Sequence, residues 1–249
     1  MKSRIRSALV FGATSAIATA YCRILAARGA VLHLVGRDNN ALQSLASDLG
    51  VRGASMVSIA TADLCEIDQH EQLVDEAWEQ LNGPDLVLLA HGELGKQVEL
   101  ETDWQSQDSL IQTNLISQMS LLTLLADRFE QQGRGCLAAI SSVAGDRGRA
   151  SNYIYGASKA GLSCYLQGLQ QRMGKTGVRV IDFRPGPVDT PMTAGMPKGI
   201  LWSTPEKIAS AMDRGLEHRS GTLYLPFYWR PIMALIRLMP NPLIRRLGI

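Results

Sequence analysis

The sequence predicts an α/β fold: one domain built on a doubly wound parallel sheet of about seven strands, with helices on both faces. Two patterns carry the prediction. Strand-like and helix-like segments alternate along the chain, as they do when crossover helices wind a parallel sheet. The strand-like segments are also continuous apolar runs, not apolar–polar alternations, which marks strands buried on both faces. A chain of 249 residues with 46% hydrophobic and 19% charged residues suffices for one sizeable core and is not the composition of a disordered chain.

Taken in order, residues 7–11 form a short apolar run ended by Gly12, and residues 15–28 read as a helix. A strand over 30–35 precedes a helix over 39–49, and a strand over 54–60 precedes a helix over 67–81. Gly83-Pro84 punctuates the chain before a buried strand over 85–90. One long helix is expected over 104–131, then a strand over 133–141, a helix over 155–173 and a strand over 177–183. A Pro- and Gly-rich loop covers 184–202, and Ser203-Thr204-Pro205-Glu206 reads as a helix start with proline in the first turn. A last short strand is expected over 222–225. The domain is placed at residues 1–223, followed by an apolar, basic tail over 224–249.

The net charge of +2 is too small to suggest a nucleic-acid partner. It is unevenly spread: the tail holds Arg230, Arg237, Arg245 and Arg246 with no acid, while the rest carries 21 Lys and Arg against 23 Asp and Glu. The N-terminal stretch MKSRIRSALVFGATS is expected to enter a strand and not to act as a secretion signal, because its apolar part is only Ala8–Phe11. No run of 18 apolar residues suggests a membrane-spanning helix. Cys22, Cys65, Cys136 and Cys164 lie far apart and form no C-x-x-C, so buried, reduced thiols in a cytosolic protein are expected. His33, His70, His91 and His218 lack metal-ligand spacing, and no metal site is expected.

Gly12-Ala13-Thr14-Ser15-Ala16-Ile17-Ala18 sits between the first strand and the first helix. In a Rossmann fold such a turn sets backbone N–H groups and a helix N-terminus against a dinucleotide pyrophosphate. Gly12 permits the tight turn, and Thr14, Ser15, Ala16 and Ile17 are candidate cofactor contacts. Gly36-Arg37 closes the second strand where NAD-selective folds carry an acid for the ribose 2′-hydroxyl; an arginine there suits a 2′-phosphate. NADP(H) is therefore the expected cofactor. Asp38, one residue on, is the alternative group that would turn toward a ribose hydroxyl.

Tyr155-Gly156-Ala157-Ser158-Lys159 places Tyr and Lys at i and i+4 on one helix face. A nearby ammonium favours tyrosinate, so Lys159 is expected to lower the Tyr155 pKa, and the phenol can then give a proton to a carbonyl or take one from an alcohol. Ser142, 13 residues earlier at the end of a strand, can bond the reacting oxygen; that spacing favours it over Ser141. Tyr153 has Ala157 at i+4 and reads as a pocket or packing residue.

The order Gly loop, Asn114, Ser142, Tyr155-x-x-x-Lys159 and Pro185-Gly186…Thr190 resembles the short-chain dehydrogenase/reductase family over about residues 7–225. That resemblance implies hydride transfer between NADP(H) and a carbonyl or alcohol. It assigns general acid/base chemistry to Tyr155, and tuning of Tyr155 and binding of the nicotinamide ribose to Lys159. It gives Ser142 the polarisation of the substrate, and Asn114 a water that links Lys159 to solvent. It also implies that Asp63 and Leu64 meet the adenine, that Ala90 and Gly92 flank the cofactor, and that Pro185, Gly186, Val188 and Thr190 lie by the nicotinamide. It implies a homodimer or homotetramer formed through the helices on either side of the Ser142 strand. Two departures stand out. Ala16 and Ala18 replace glycines of the T-G-x-x-x-G-x-G loop, and Leu89-Ala90-His91-Gly92 stands where the family has N-N-A-G. His91 packs either near the nicotinamide or as a structural histidine at a strand end.

Within the family, the G-A-T-S-x-I-A loop, the S-S-V-A-G-D-R-G-R run and the tail resemble the decaprenylphosphoryl-2-keto-erythro-pentose reductase branch. That likeness implies a keto sugar on a polyprenyl phosphate or another amphiphilic substrate, with Arg147 and Arg149 available to a phosphate. The tail combines Phe227, Tyr228 and Trp229 with arginines, which suits an anionic headgroup layer. It is read as lying on the inner face of a membrane, around a cytoplasmic enzyme, or else as packing over the substrate pocket or a subunit interface. The alternatives are a soluble 3-oxoacyl or small-ketone reductase and, from another class, a non-catalytic NADP(H)-binding regulator.

Overall fold

The computed structural model describes residues 5–216 and 220–247. His218 and the ends of the chain, with part of the N-terminal stretch weighed as a signal and the last two residues of the tail, lie outside the described residues. Seven strands, β1 (Ser7–Phe11), β2 (Val31–Gly36), β3 (Met56–Thr61), β4 (Leu86–Leu89), β5 (Gly135–Ile140), β6 (Val178–Pro185) and β7 (Gly221–Leu225), form one parallel sheet in the order β3-β2-β1-β4-β5-β6-β7.

The central strands β1 and β4 are apolar on both faces because each face meets helices. Ala8 and Val10 of β1, Leu32 and Leu34 of β2 and Leu86 and Leu88 of β4 join one core with Tyr21, Leu25 and Leu42. These last come from α1 (Ala16–Ala26) and α2 (Asn39–Val51); α8 (Pro205–Gly215) adds Ile208 and Met212 to the same core. The intervening residues, among them Leu9, Phe11, Val87 and Leu137, face a second core. Its helices are α3 (His70–Leu81), α6 (Ser117–Gln132) and α7 (Tyr153–Arg172). The period of two along each strand therefore distributes one continuous apolar run between two cores.

Local chemistry fixes the ends of the elements. Ser15 Oγ accepts from the Ala18 amide and caps α1, Asp38 caps α2 through the Ala41 amide, and Thr204 caps α8, with Pro205 in its first turn. The long helix expected over 104–131 is present, helical without a break over 104–132, and carries a π turn within it. A short α4 (Gln97–Leu100), not anticipated, precedes α5 (Trp104–Ile111); a π turn over Gln112–Ile116 then leads into α6. π turns concentrate at functional positions.

The expected boundary at 223/224 falls inside β7, so the sheet itself carries the chain to Leu225. The tail continues as α9 (Trp229–Leu238) and α10 (Asn241–Leu247). Trp229, Met233 and Ile236, spaced i, i+4, i+7, pack with Val143 into a small core of their own. Cys22 and Cys136 are buried, but Cys65 and Cys164 are exposed, because they sit in a loop and on the outer side of α7.

The sheet reverses its winding between β1 and β4, and the loops that follow them meet there. Gly12 has φ +69°, and a Cβ at this position would lie 2.5 Å from the His91 backbone nitrogen. Gly12→Ala is therefore expected to lower the unfolding free energy by about 2 kcal/mol or more, combining left-handed strain with displacement of the 90–92 loop. An unchanged urea midpoint would show that the two loops do not need this approach.

Candidate active site

A cleft of about 550 Å³ opens at the carboxyl ends of the strands, over the β1/β4 reversal, where open α/β sheets place their ligands. Along one flank run Gly12, Thr14, Ser15, Ala16 and Ile17, then Arg37, Asp63 and Leu64. Ala90 and Gly92 line it after β4, Ser142 after β5 with Tyr155 and Lys159 of α7, and Pro185, Gly186, Val188 and Thr190 at the end of β6. The fold thus brings these sequence-predicted residues to one cavity. Asn114 is the exception: it is fully buried behind the cleft.

The glycine loop fits a dinucleotide. Gly12 and Ala13 amides both bond the Val35 carbonyl, which sets the turn against β2. The first turn of a helix leaves amides without intrahelical acceptors, and at α1 these belong to Ala16 and Ile17, which line the cleft. The two alanine departures differ in consequence. Ala18 is buried in the core and does not line the cleft, whereas Ala16 does. Arg37 is exposed at the rim. Asp38, the competing group, has its carboxylate engaged at 3.0 Å on the Ala41 amide. Asp63 Oδ1 likewise accepts from the Cys65 amide at 2.9 Å.

Ser142 follows β5 in an extended conformation. Its Oγ accepts from the Ala144 amide at 3.1 Å and starts the 3-10 turn Val143–Asp146, and its hydroxyl lies within hydrogen-bond reach of Tyr155. Tyr155 and Lys159 stand one turn apart on α7, with the ammonium 5.9 Å from the ring centroid. The expected lowering of the phenol is not found: burial pushes Tyr155 up to about 12, and the Ser142 side chain pulls only weakly the other way. Desolvation outweighs the ammonium at this separation. Lys159 Nζ donates to the Ile140 carbonyl at 3.1 Å; burial brings it down to about 8, opposed by the charge of Asp182. At neutral pH the site therefore holds a proton on Tyr155 beside a mostly cationic Lys159.

Asn114 sits in the π turn. Its Nδ2 donates to the Glu93 carbonyl at 2.7 Å, and its Oδ1 accepts from the Glu93 amide at 2.8 Å. It reaches Lys159 through Gly92: a Cβ there would be 2.9 Å from Asn114 Oδ1 and 3.3 Å from Lys159 Nζ. Together with Gln118, which donates to the His91 carbonyl at 2.9 Å, it ties down the 90–93 loop, so the missing asparagines of that loop are replaced from the neighbouring helix. His91 bonds Ser117 through Nε2 and is held neutral, its pKa lowered to about 3 by burial and then by Lys159.

Sequence reasoning missed a buried ion cluster under Ser142. Asp182 accepts from Ser141 Oγ and, at 2.7 Å, from Arg184 Nε; Arg184 also pairs with Asp146, which accepts from Tyr224 Oη at 2.7 Å. The signal was present: Asp182 and Arg184 alternate in the buried second half of a strand, where unpaired charge would be expensive. Two other readings are corrected. Tyr153 is 46% exposed and is no part of the cleft. Arg147 points to the tail, bonding the Arg237 carbonyl at 3.2 Å and Asn241. Among the described residues of the tail none lines the cleft; the tail braces its wall, with Trp229 against Gly186, where a Cβ would meet the indole at 2.0 Å.

A profile of the short chain dehydrogenase family matches residues 6–200. The chain belongs to the short-chain dehydrogenase/reductase family. An uncharacterized oxidoreductase of Streptomyces coelicolor is 38% identical over 97% of this chain and 96% of its own length. One of Mycobacterium tuberculosis (strain ATCC 25618 / H37Rv) is 37% identical over 96% of each. A solved structure of a short chain dehydrogenase/reductase family protein superposes with a TM-score of 0.77 at 28% identity, covering 90% of this chain and 97% of that one. The protein is thus an oxidoreductase of this family with an NAD(P)-binding Rossmann fold. Among the described residues, no three His, Cys, Asp or Glu side chains converge as metal ligands, and no helix is long and apolar enough to cross a membrane.

The depressed Lys159 pKa makes a stability prediction. The unfolded chain, with Lys near 10.5, binds more protons than the folded one between about pH 8 and 10.5, so folding stability rises with pH across that window. Below pH 8 the buried ammonium is a net cost. Lys159→Met is expected to stabilise the unliganded protein by about 2 kcal/mol at pH 7, after allowance for the lost bond to Ile140. In urea unfolding at several pH values, that advantage should shrink toward pH 10.5. A variant less stable at pH 7, or an advantage independent of pH, would contradict the buried-cation account.

Proposed function

We propose that the protein is an NADP(H)-dependent reductase of a carbonyl on an amphiphilic substrate, such as a keto sugar carried on a polyprenyl phosphate. The observation that carries the reading is a protonated Tyr155 set between Lys159 and the Ser142 hydroxyl, all on the cleft that the glycine loop and Arg37 line. When bound, the dinucleotide supplies the hydride. Tyr155 Oη delivers the proton to the substrate oxygen, Ser142 donates to the same oxygen and polarises the carbonyl, and Lys159 offsets the negative charge left on the phenol. Asn114, through the 92–93 loop, holds Lys159 in place and connects it toward solvent. Gly12, Thr14, Ser15, Ala16 and Ile17 cradle the pyrophosphate, Asp63 and Leu64 bound the adenine, and Ala90, Gly92, Pro185, Gly186, Val188 and Thr190 bound the nicotinamide.

Arg37 at the rim, Gly36 in the place of an acid and Asp38 committed to its helix cap support NADP(H) over NAD(H). The tail supports the amphiphilic substrate. With its inner face packed on the domain, α9 still turns Leu235 and Leu238 outward, and Phe227, 82% exposed, precedes it. Arg230, Arg237 and Arg246 lie exposed around these side chains. An apolar surface edged by arginines suits an anionic lipid headgroup layer. The family resemblance further proposes self-association through α5, α6 and α7.

The test is deuteride transfer from NADPH labelled at the transferable position, with a lipid extract and a soluble metabolite extract offered in parallel. The reading predicts label in the lipid fraction, at least tenfold slower transfer from labelled NADH, and loss of about 10²-fold or more with Tyr155→Phe at unchanged NADPH affinity. Label confined to the soluble fraction would contradict the amphiphilic substrate. Tyr155→Phe turnover equal to the parent's would contradict the role of the phenol.

A further inference from the structure

The substrate end of the cleft contains a cation that the fold leaves unsatisfied. Arg149 lies in the loop between the 3-10 turn and α7, six residues before Tyr155, and lines the cleft. Its Nε is buried without a hydrogen-bond partner. One terminal nitrogen reaches only the Met233 sulfur, at 3.7 Å, and a thioether is a weak acceptor. No described carboxylate forms an ion pair with it. Asp146, the one acid whose charge acts on it, is already bonded by Arg184 and Tyr224. The other arginines near the site are engaged or distant: Arg184 is paired twice, Arg147 bonds the tail, and Arg37 stands with Asp38 and the glycine loop at the cofactor end.

An arginine cannot shed its proton in a protein, so burial cannot be relieved by neutralisation as it is for lysine. Burial disfavours the charged form of Arg149, and a buried N–H without an acceptor is costly. Such a donor is satisfied by a ligand oxyanion, and a guanidinium edge matches phosphate geometry. Leu94, Met192, Met196 and Trp202 give the same cleft apolar lining, and Glu93, the acid that lines it beside Leu94, forms no ion pair with Arg149.

We infer that Arg149 binds a phosphate group carried by the carbonyl substrate and thereby sets which carbonyl reaches Tyr155. The inference rests on the reading of this cleft as a reductase site, with the dinucleotide phosphates held at the opposite end. The phosphate is either that of a soluble metabolite or the headgroup of a lipid.

The experiment is calorimetric titration of the NADPH-saturated protein with phenyl phosphate and, separately, with dodecyl phosphate below its micellar concentration. Saturation with NADPH occupies the cofactor's own anion sites. Arg149→Met should weaken both ligands at least tenfold, Arg149→Lys should recover part of the loss, and NADPH affinity should be unchanged in both variants, which also reports that they fold. Tighter binding of dodecyl phosphate than of phenyl phosphate identifies a lipid-borne source; equal binding identifies a soluble one. Absence of phosphate binding by the parent protein, equal binding by Arg149→Met, or loss with Arg37→Met in place of Arg149→Met would overturn the assignment. If deuteride transfer fails while phosphate binding still depends on Arg149, the reductase reading falls and this site stands.

Discussion

Two carboxylates and one guanidinium buried at the carboxyl edge of the sheet join the parts on which the chemistry depends. Asp182 and Arg184 rise from β6, Asp146 ends the turn that Ser142 begins, and Tyr224 belongs to β7. Ser141, immediately before Ser142, bonds the same Asp182. A buried ion pair adds little net stability but becomes costly when one member is removed, about 3–5 kcal/mol, because the survivor is left charged in a poor solvent. The cluster is therefore better understood as fixing position. It sets the Ser142 turn against β6, and that turn is the floor on which α9 packs through Val143. The charge of Asp182 also holds Lys159 closer to its cationic form than burial alone would allow.

This arrangement makes the site asymmetric in a useful way. One end is built from backbone: a glycine turn, helix-terminal amides and the close approach of Gly12 to His91. Such groups suit a cofactor whose phosphates need donors, not sequence-specific side chains. The other end is built from side chains with shifted proton affinities, Tyr155 raised and Lys159 lowered, together with Arg149, with which no described carboxylate forms an ion pair. The tail stiffens this second end from behind without entering it, and offers its outer face, Leu235 and Leu238 with the neighbouring arginines, to whatever surface the protein meets.

The fold was legible because its signals are periodic and local. Alternating apolar runs and capped helices located all seven strands within about two residues, and Thr204-Pro205 marked the start of α8. The candidate site residues were legible because i, i+4 spacing and position at strand ends follow from geometry that does not depend on distant contacts. What escaped depends on distance. The π turn at Asn114 sets that side chain on the backbone of Glu93, 21 positions away, a contact no local pattern marks. The direction of the Tyr155 shift is set by burial, which spacing cannot reveal. The Asp182–Arg184–Asp146 cluster unites residues 36 and 38 positions apart on either side of α7, and only the assembled sheet shows that Tyr224 completes it.

The most direct measurement is amide hydrogen exchange of Arg184→Met against the parent protein. If the buried cluster positions the site, protection should fall together in residues 143–146 and in α9, while α1, which shares neither contact, keeps its parent protection. Unchanged exchange in the 143–146 turn and α9 would show that those elements are held by apolar packing alone, and the cluster would lose its place at the centre of this structure.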